Sequence, residues 1–367
     1  MHTRIIFIFT LLLFTKITLD AQVLTPEYLW KLGRVNLEDA SSDGKYAAYT
    51  VAYYDLNENK GKTNLYTVDL MTNQVKILTD VKGNVSNAQY NKDNRIIYFL
   101  LDGILNSINT DGSNLQKISD EEMNGFSLSP DNSKILYCKD VKYDNVLGSE
   151  LYSDLPKSTV RVADGLMYRH WKSWEDGAYS NIFVADIKDN KISVATNIMK
   201  NEPYNSPLAP MGGMEQIAWS VDGKKIAYTC KKMRGTASAI STNSDIYIYD
   251  LASAATTNLT KGMMGYDTNP TFSPDGKYIA WNSMERPMFE ADRNRIFIAD
   301  LSTNVKEEVT VGVDREANNV IWANDSKTLY YIGGDKATFQ IFAIDIKQKQ
   351  ERELTQGDHD YHSMVLA

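Results

Sequence analysis

Residues 273–281 read Ser273-Pro274-Asp275-Gly276-Lys277-Tyr278-Ile279-Ala280-Trp281 and carry the clearest structural signal in this chain. Proline presets φ, aspartate bonds back to the backbone, and glycine supplies a positive φ, so the first half predicts a tight turn. An apolar strand follows at once. A second strand, Ile296-Phe297-Ile298-Ala299-Asp300, ends in the polar hairpin Ser302-Thr303-Asn304. Strand, loop, strand and turn together make most of one four-stranded antiparallel sheet.

The same turn-plus-strand unit recurs along the chain. The turn aspartates of the six units are Asp43, Asp93, Asp131, Asp222, Asp275 and Asp325, with steps of 50, 38, 91, 53 and 50 residues. A period of about 40–50 residues with four strands per unit indicates the blades of a β-propeller. We therefore predict an all-β fold with six recognisable four-stranded blades. The segment His359–Ala367 reads as the first strand of a seventh blade that is begun and cut off, so the intact parent is expected to have seven.

The repeats fill the chain from residue 41 to 367, which predicts a single, incomplete propeller rather than two domains. Residues 22–40 are expected to form a helical lead-in, because Thr25 can cap a helix and Pro26 suits its first position. The formal net charge of −8 argues against a nucleic-acid surface and gives no polybasic membrane patch.

The N-terminus has the features of a secretory signal over residues 1–21. Arg4 precedes the apolar run Ile5–Phe14, and Ala21 offers a small residue before the expected cleavage site. We therefore expect an exported protein, periplasmic or extracellular, with no stable membrane anchor. A retained anchor is the alternative. The two cysteines, Cys138 and Cys230, are expected to be buried free thiols rather than a disulfide.

The sequence contains no recognisable catalytic constellation. It has no Gly-x-Ser-x-Gly nucleophile elbow, no His-Glu-x-x-His, no paired Cys-x-x-Cys and no phosphate-binding glycine loop. His359 and His362 lack a further ligand for zinc, and the turn aspartates are explained by their turns. We accordingly predict no catalytic residue, no metal site and no cofactor within this chain.

The step of 91 residues marks a long excursion, Lys139–Ser180, inside the third unit. It contains Leu166-Met167-Tyr168-Arg169-His170-Trp171-Lys172-Ser173-Trp174-Glu175-Asp176-Gly177, a dense mixture of aromatic and charged groups. Long ordered loops often carry function, so this segment could line a binding surface. It could equally cap the edge of its blade, and both readings stay open.

Several loop motifs resemble the propeller half of secreted bacterial serine peptidases of the prolyl oligopeptidase family. The branch resembled is that of dipeptidyl peptidase V and the acylaminoacyl-peptidases, and the likeness covers essentially the whole mature chain. The segments that carry it are Leu24–Glu27, Leu166–Trp171, Gly213–Ser220, Ser241–Tyr247, Met263–Asp267 and Ser283–Arg286. The turn repeats are less specific, since TolB-like propellers share them.

The resemblance implies a propeller that gates and positions short peptides for a catalytic α/β-hydrolase domain. That domain, with its Ser-Asp-His triad, is absent from this sequence, so the chain alone is expected to be inactive. An exopeptidase must also hold the free α-amine of its substrate, which requires an acidic partner. Glu285 with Arg286 beside it is the first candidate, followed by Glu290 and by Arg169, His170 and Trp171 in the excursion. A local surface pair is the alternative for Glu285 and Arg286.

A second hypothesis is a stand-alone periplasmic TolB-like propeller that binds a protein partner. The missing triad suits it, whereas the peptidase-type loops favour the first reading. A propeller without its last blade leaves two sheet faces exposed, so we also expect this chain to self-associate.

Overall fold

The computed structural model describes residues 23–367. Helix α1 (Pro26–Lys31) precedes six sheets, which we number as blades 1 to 6 along the chain. Blade 1 comprises β1 (Arg34–Ala40), β2 (Tyr46–Asp55), β3 (Lys60–Asp69) and β4 (Val75–Ile77), and blade 2 comprises β5 (Val85–Tyr90), β6 (Ile96–Leu101), β7 (Ile104–Asn109) and β8 (Gln116–Glu122).

Blade 3 begins with β9 (Gly125–Leu128) and β10 (Lys134–Lys142). The excursion follows, with α2 (Gly148–Leu151) and a two-stranded hairpin of β11 (Arg169–His170) and β12 (Ser173–Trp174). The blade is completed by β13 (Ala178–Lys188), along which β14 (Lys191–Ile192) and β15 (Thr196–Asn197) both pair.

The remaining blades are regular, with antiparallel neighbours in chain order. A 3₁₀ turn, Met214–Gln216, leads into blade 4: β16 (Ile217–Trp219), β17 (Lys225–Cys230), α3 (Gly235–Ile240), β18 (Asp245–Asp250) and β19 (Ala255–Asn258). Blade 5 comprises β20 (Asp267–Phe272), β21 (Tyr278–Ser283), β22 (Arg295–Asp300) and β23 (Lys306–Glu308); blade 6 comprises β24 (Asn318–Trp322), β25 (Thr328–Asp335), β26 (Thr338–Asp345) and β27 (Glu351–Glu353). The prediction of an all-β propeller with six recognisable blades is confirmed.

The repeated turns join the first strand of each blade to the second. In blade 5, Ser273 Oγ donates to Asp275 Oδ1 at 2.7 Å and accepts from the Tyr278 N–H at 2.9 Å. The fourth turn position has a positive φ in all six blades, and it is held by Gly44, Asn94, Asn132, Gly223, Gly276 and Ser326. Five of these six residues are glycine or asparagine, which tolerate a positive φ, whereas blade 6 has Ser326 there.

The hydrophobic core is divided among the joints between blades. Five apolar clusters lie between blades 1 and 2, 2 and 3, 3 and 4, 4 and 5, and 5 and 6. Among residues 23–367 no such cluster joins blade 6 to blade 1. Cys138 and Cys230 are buried free thiols in the cluster between blades 3 and 4, as expected.

The expected helical lead-in over residues 22–40 is only partly helical. The side chain of Thr25 does accept from the Tyr28 N–H at 3.2 Å and caps α1. However, Arg34–Ala40 forms β1, the inner strand of blade 1, so the boundary at residue 41 is wrong. The sequence pattern did not indicate this strand because its polar side chains form hydrogen bonds with the next blade. Glu38 Oε2 accepts from the Ala88 N–H at 3.0 Å, and Asp39 Oδ2 accepts from the Tyr90 N–H at 2.8 Å.

The C-terminal segment also differs from expectation. The Tyr361 N–H donates to the Phe339 carbonyl at 2.9 Å, yet 359–367 forms no strand. An inner strand is stabilised by pairing with the second strand of its own blade, and 361–367 has no such partner among the described residues. The expected signal segment, 1–21, lies outside those residues. Within 23–367, no helix has the length and apolar character needed to cross a membrane.

Candidate functional site

The two faces of the propeller carry different connections. Because neighbouring strands are antiparallel, the repeated turns lie at one face. The loops from second to third strands, and the links to the next blade, lie at the other, which we call the loop face. A cavity of about 480 Å³ beside Ser42, Lys92 and Pro130 lies at the turn face. A much larger cleft, of about 1330 Å³, opens on the loop face.

The cleft is built from three blades. Blade 3 contributes the excursion, its link to blade 4 contributes 203–212, and blade 4 contributes the loop around α3. Blade 5 adds Tyr266, Thr268 and Glu290. The long excursion, which the sequence left open as a binding surface or an edge cap, therefore forms a wall of this cleft.

The β11–β12 hairpin in this wall is held by its second tryptophan. Trp174 stacks on Tyr168 at 6.2 Å between ring centroids, and the guanidinium groups of Arg161 and Arg169 lie 5.8 and 5.4 Å from its ring. The Glu175 N–H donates to the Tyr168 carbonyl at 3.0 Å and closes the hairpin base. Cation–π and stacking contacts thus fix the base, while the tip stands free over the cleft.

One pair of opposite charges in the cleft is already satisfied. Arg234, which precedes α3, pairs with Asp144 of the excursion and lies 5.6 Å from the Tyr179 ring. The Tyr179 hydroxyl donates to the same Asp144 carboxylate at 3.1 Å. Both groups contact Asp144 Oδ2, and the ion pair ties blade 3 to blade 4.

Three other carboxylates in the cleft, those of Asp164, Glu175 and Glu290, have no cation within ion-pair distance among residues 23–367. Glu175 is half-buried, and burial raises the pKa of its carboxyl group. Glu290 is exposed at the opposite wall. A half-buried carboxylate without an ion-pair partner is incompletely stabilised, because water hydrates it only in part. The charge of His170 counteracts the effect of burial on the pKa of Glu175.

Lys231 and Tyr266 lie near Glu290 in the cleft. The Lys231 ammonium donates to the Ser238 carbonyl at 2.6 Å, and burial lowers the pKa of this lysine. Burial also raises the pKa of Tyr266, with a further contribution from the charge of Glu290. The cleft therefore contains both signs of charge within an aromatic lining.

The six residues selected from the sequence are only partly brought together. His170, Trp171 and Glu290 line the cleft. Arg169 packs on Trp174 at the hairpin base instead. Glu285 and Arg286 lie on the same face of the propeller but are not among the cleft-lining residues.

The Arg286 side chain has a local structural partner. Its Nε donates to Asp292 Oδ1 at 2.9 Å, its backbone N–H donates to Oδ2 at 2.7 Å, and its guanidinium lies 3.8 Å from the Phe289 ring. The hydrogen bonds from Arg286 lower the pKa of Asp292. Glu285 is 74% exposed and approaches Arg295 only at 3.7 Å. Arg286 therefore fixes the blade 5 loop.

Sequence reasoning missed Glu175. The residue was within the aromatic stretch, but nothing in its spacing distinguished it from solvated neighbours such as Asp176. Its half-buried position in the cleft depends on tertiary packing, which the local sequence pattern does not show. Among the described residues, no group of three or more histidine, cysteine or acidic side chains is arranged to hold a metal ion.

Comparison with known proteins gives consistent similarities. Residues 171–365 match the family described as the TolB beta propeller domain. The chain is 40% identical over 352 residues to dipeptidyl-peptidase 5 of Porphyromonas gingivalis, covering 92% of this chain and 50% of that protein. It is 35% identical over 353 residues to dipeptidyl-peptidase 5 of Porphyromonas endodontalis, covering 95% and 51%.

Among solved structures, acylaminoacyl peptidase of Pyrococcus horikoshii superposes with a TM-score of 0.66 at 13% identity, over 92% of this chain and 48% of that one. At this identity the likeness concerns the fold alone. The chain spans about half the length of the curated relatives it matches. The resemblance expected from the loop motifs is confirmed.

Proposed function

This chain belongs to the TolB β-propeller family. From its 40% identity to dipeptidyl-peptidase 5 of Porphyromonas gingivalis, we propose that it is the peptide-gating propeller of an exported serine exopeptidase. In this role it admits short peptides and positions them for an α/β-hydrolase domain outside the chain. The propeller limits substrate size and forms one wall of the reaction chamber. The serine nucleophile, with the histidine that activates it and the aspartate that orients the histidine, belongs to the hydrolase domain.

The observation that carries the proposal is the half-buried, unpaired Glu175 inside the cleft. A free peptide N-terminus is an ammonium group with three donors, and it needs a carboxylate acceptor when it leaves water. Glu175 offers such an acceptor without first having to break an ion pair within residues 23–367. The oxygens of this carboxylate can therefore accept hydrogen bonds from a free N-terminal ammonium group, which distinguishes an exopeptidase substrate.

Glu290 supplies a second carboxylate on the blade 5 side of the cleft. Glu290 lies near the cationic Lys231 and the phenol of Tyr266. It can bind the ammonium group of the peptide directly, or it can orient one of these two side chains toward the peptide. We assign the amine site to Glu175 and Glu290, and we keep Glu285, the first choice from sequence, as the comparison.

Calorimetric titration of this chain tests the proposal. The ligands are trialanine with a free N-terminus and the same peptide with an acetylated N-terminus. A hydrogen bond to a charged group contributes about 1.5–3 kcal/mol, so the free peptide should bind at least about tenfold more tightly. Glu175→Gln keeps the shape of the side chain and should remove most of that difference, with a smaller effect for Glu290→Gln.

Glu285→Gln is the matched control, since this carboxylate is exposed on the same face but does not line the cleft. If only Glu285→Gln removes the preference, the amine site is wrongly assigned. If the free and the blocked peptide bind equally to the unmodified chain, the proposal of an exopeptidase propeller fails.

A second candidate function is a TolB-like propeller that binds a protein partner. It rests on the match of residues 171–365 to the TolB beta propeller domain, a description that names no partner. Reading the gene beyond the codon for Ala367 separates the two. An open frame that continues to a Gly-x-Ser-x-Gly motif supports the peptidase, whereas a stop codon there supports a partner-binding propeller.

A further inference from the structure

Two large apolar side chains in residues 23–367 are attached to a backbone with positive φ. They are Trp171, with φ of 46°, and Met288, with φ of 65°, and both are 66% exposed. Most other non-glycine residues with positive φ are asparagines, which tolerate this conformation. A bulky residue in the left-handed region costs conformational free energy, and exposing its side chain forgoes burial.

Trp171 occupies a position that normally selects glycine. It is the first of the two residues that connect β11 to β12, and two-residue hairpins with positive φ there are dominated by glycine or asparagine. Such strained residues persist where surrounding contacts hold them, and they concentrate at ligand-contacting sites. Here the surrounding contacts are those that fix Trp174 and the hairpin base.

The environment of Trp171 differs from that of Met288. Trp171 lines the cleft and meets the His170 ring edge-on at 5.2 Å between centroids. Met288 is not among the cleft-lining residues, and its N–H donates to Thr242 Oγ1 at 2.8 Å, which supports its loop. The hydrogen bond to Thr242 therefore supports the positive φ of Met288. Trp171 instead lines a cleft that also contains Tyr168, Trp174 and Tyr266.

We propose that Trp171 is a specificity-determining residue that stacks on a large apolar side chain, aromatic best, at the first or second position of the bound peptide. The inference rests on the proposed function, since it takes the ligand to be a peptide whose free N-terminus is held in the same cleft. Contacts at the hairpin base position the backbone that carries the indole before a ligand ring packs on it, which lowers the entropy cost of binding. Offset or edge-to-face contact then adds affinity beyond simple burial.

The test is titration of this chain with three free-amine peptides, Phe-Ala-Ala, Ala-Phe-Ala and Ala-Ala-Ala. One phenylalanine peptide should bind about three- to tenfold more tightly than trialanine, in line with aromatic pairing. Trp171→Ala should reduce that ratio to about one, and Trp171→Phe should retain most of it. Met288→Ala is the matched control, with the same exposure and positive φ, and should leave the ratio unchanged.

The outcomes separate the two proposals. If trialanine binds through its free amine but phenylalanine gives no advantage, or if Trp171→Ala leaves the advantage intact, the role of Trp171 is refuted and the proposed function stands. Equal losses in Trp171→Ala and Met288→Ala also refute it, because they indicate a general apolar rim. If no free-amine preference exists, the proposed function itself fails. Thermal melting of each variant verifies that it is folded.

Discussion

Asp267 lies at the joint between blades 4 and 5 as a fully buried carboxyl group. Its Oδ1 accepts from the Trp281 indole N–H at 3.0 Å, and its Oδ2 has no partner within residues 23–367. Burial, reinforced by the charge of Asp245, raises its pKa from 3.8 to about 7. The folded protein therefore holds this proton more tightly than the unfolded chain does.

This pKa predicts a stability that depends on pH. The contribution of protonated Asp267 is fully present below pH 3.8 and is lost as the pH rises to about 7. The loss amounts to at most about 4 kcal/mol, from about 1.4 kcal/mol per pH unit. Asp267→Asn keeps the acceptor for Trp281 and should flatten the unfolding free energy between pH 4 and 7. Guanidinium denaturation at pH 5 and pH 8 measures it.

The control is Asp275→Asn at an exposed turn. The hydrogen bond from Ser273 lowers the pKa of Asp275, so this group loses its contribution only as the pH falls below the ordinary aspartate range. The difference between pH 5 and pH 8 should therefore persist in that variant. An equal loss of the difference in both variants would show that Asp267 is not its source.

The sequence allowed some of the cleft residues to be predicted. Trp171 and Glu290 lie in segments whose composition is unusual for solvated loops, and both reach the cleft. Glu285, with Arg286 beside it, is the first candidate from sequence because a free α-amine requires an acidic partner, but Glu285 does not line the cleft. Arg286, however, finds its partner six residues away in Asp292, through a loop closure that adjacent charges do not reveal.

At the scale of elements, the repeated turn makes a prediction about its fourth position. Gly276 has a φ of 70°, and a Cβ at this position would meet no atom within 4 Å. Gly276→Ala should therefore cost about 1 kcal/mol for backbone strain alone, without a steric clash. Gly276→Asn should cost less, because Asn94 and Asn132 hold the same position in blades 2 and 3. Urea unfolding of the variants measures the difference.

Gly334 provides the matched control in β25. A Cβ there also meets no atom within 4 Å, and its φ is not in the left-handed region. Gly334→Ala should therefore leave the unfolding free energy nearly unchanged or raise it slightly, since alanine reduces the entropy of the unfolded chain. A similar loss at both positions would contradict the strain argument.

The elements best predicted were those defined by local chemistry. The six turns share an aspartate at the third position, followed by glycine or asparagine in five of them and by Ser326 in blade 6, and a strand begins just after each turn. The inner strands were harder, as β1 illustrates: Glu38 and Asp39 read as loop residues because their burial depends on backbone donors supplied by blade 2. Alternation of polar and apolar residues fails where a polar side chain is satisfied by the next sheet.

At the scale of the whole molecule, no apolar cluster joins blade 6 to blade 1 within residues 23–367. Ala48 and Leu65 of blade 1 pack against blade 2, so the adjacent residues Tyr49 and Tyr66 face away from it. These tyrosines stack at 5.5 Å, and Ile77 beside them is 60% exposed. The exposed face is apolar like the buried face of a blade, and propeller blades are stabilised by packing on both sides.

This open joint predicts that the chain self-associates when expressed alone. Blade 6 of one copy can pack on blade 1 of another, and because the two surfaces differ, the contact does not close and larger assemblies follow. Sedimentation velocity should show a concentration-dependent mass above 41.5 kDa.

Ile77→Lys places a charge on the joint and should reduce association without lowering the melting temperature, since Ile77 is already exposed. Val194→Lys, at a side chain 98% exposed on blade 3, should leave association unchanged. A monodisperse, cooperatively melting monomer at all concentrations would refute the prediction, because an uncovered blade face of this composition should not persist in water.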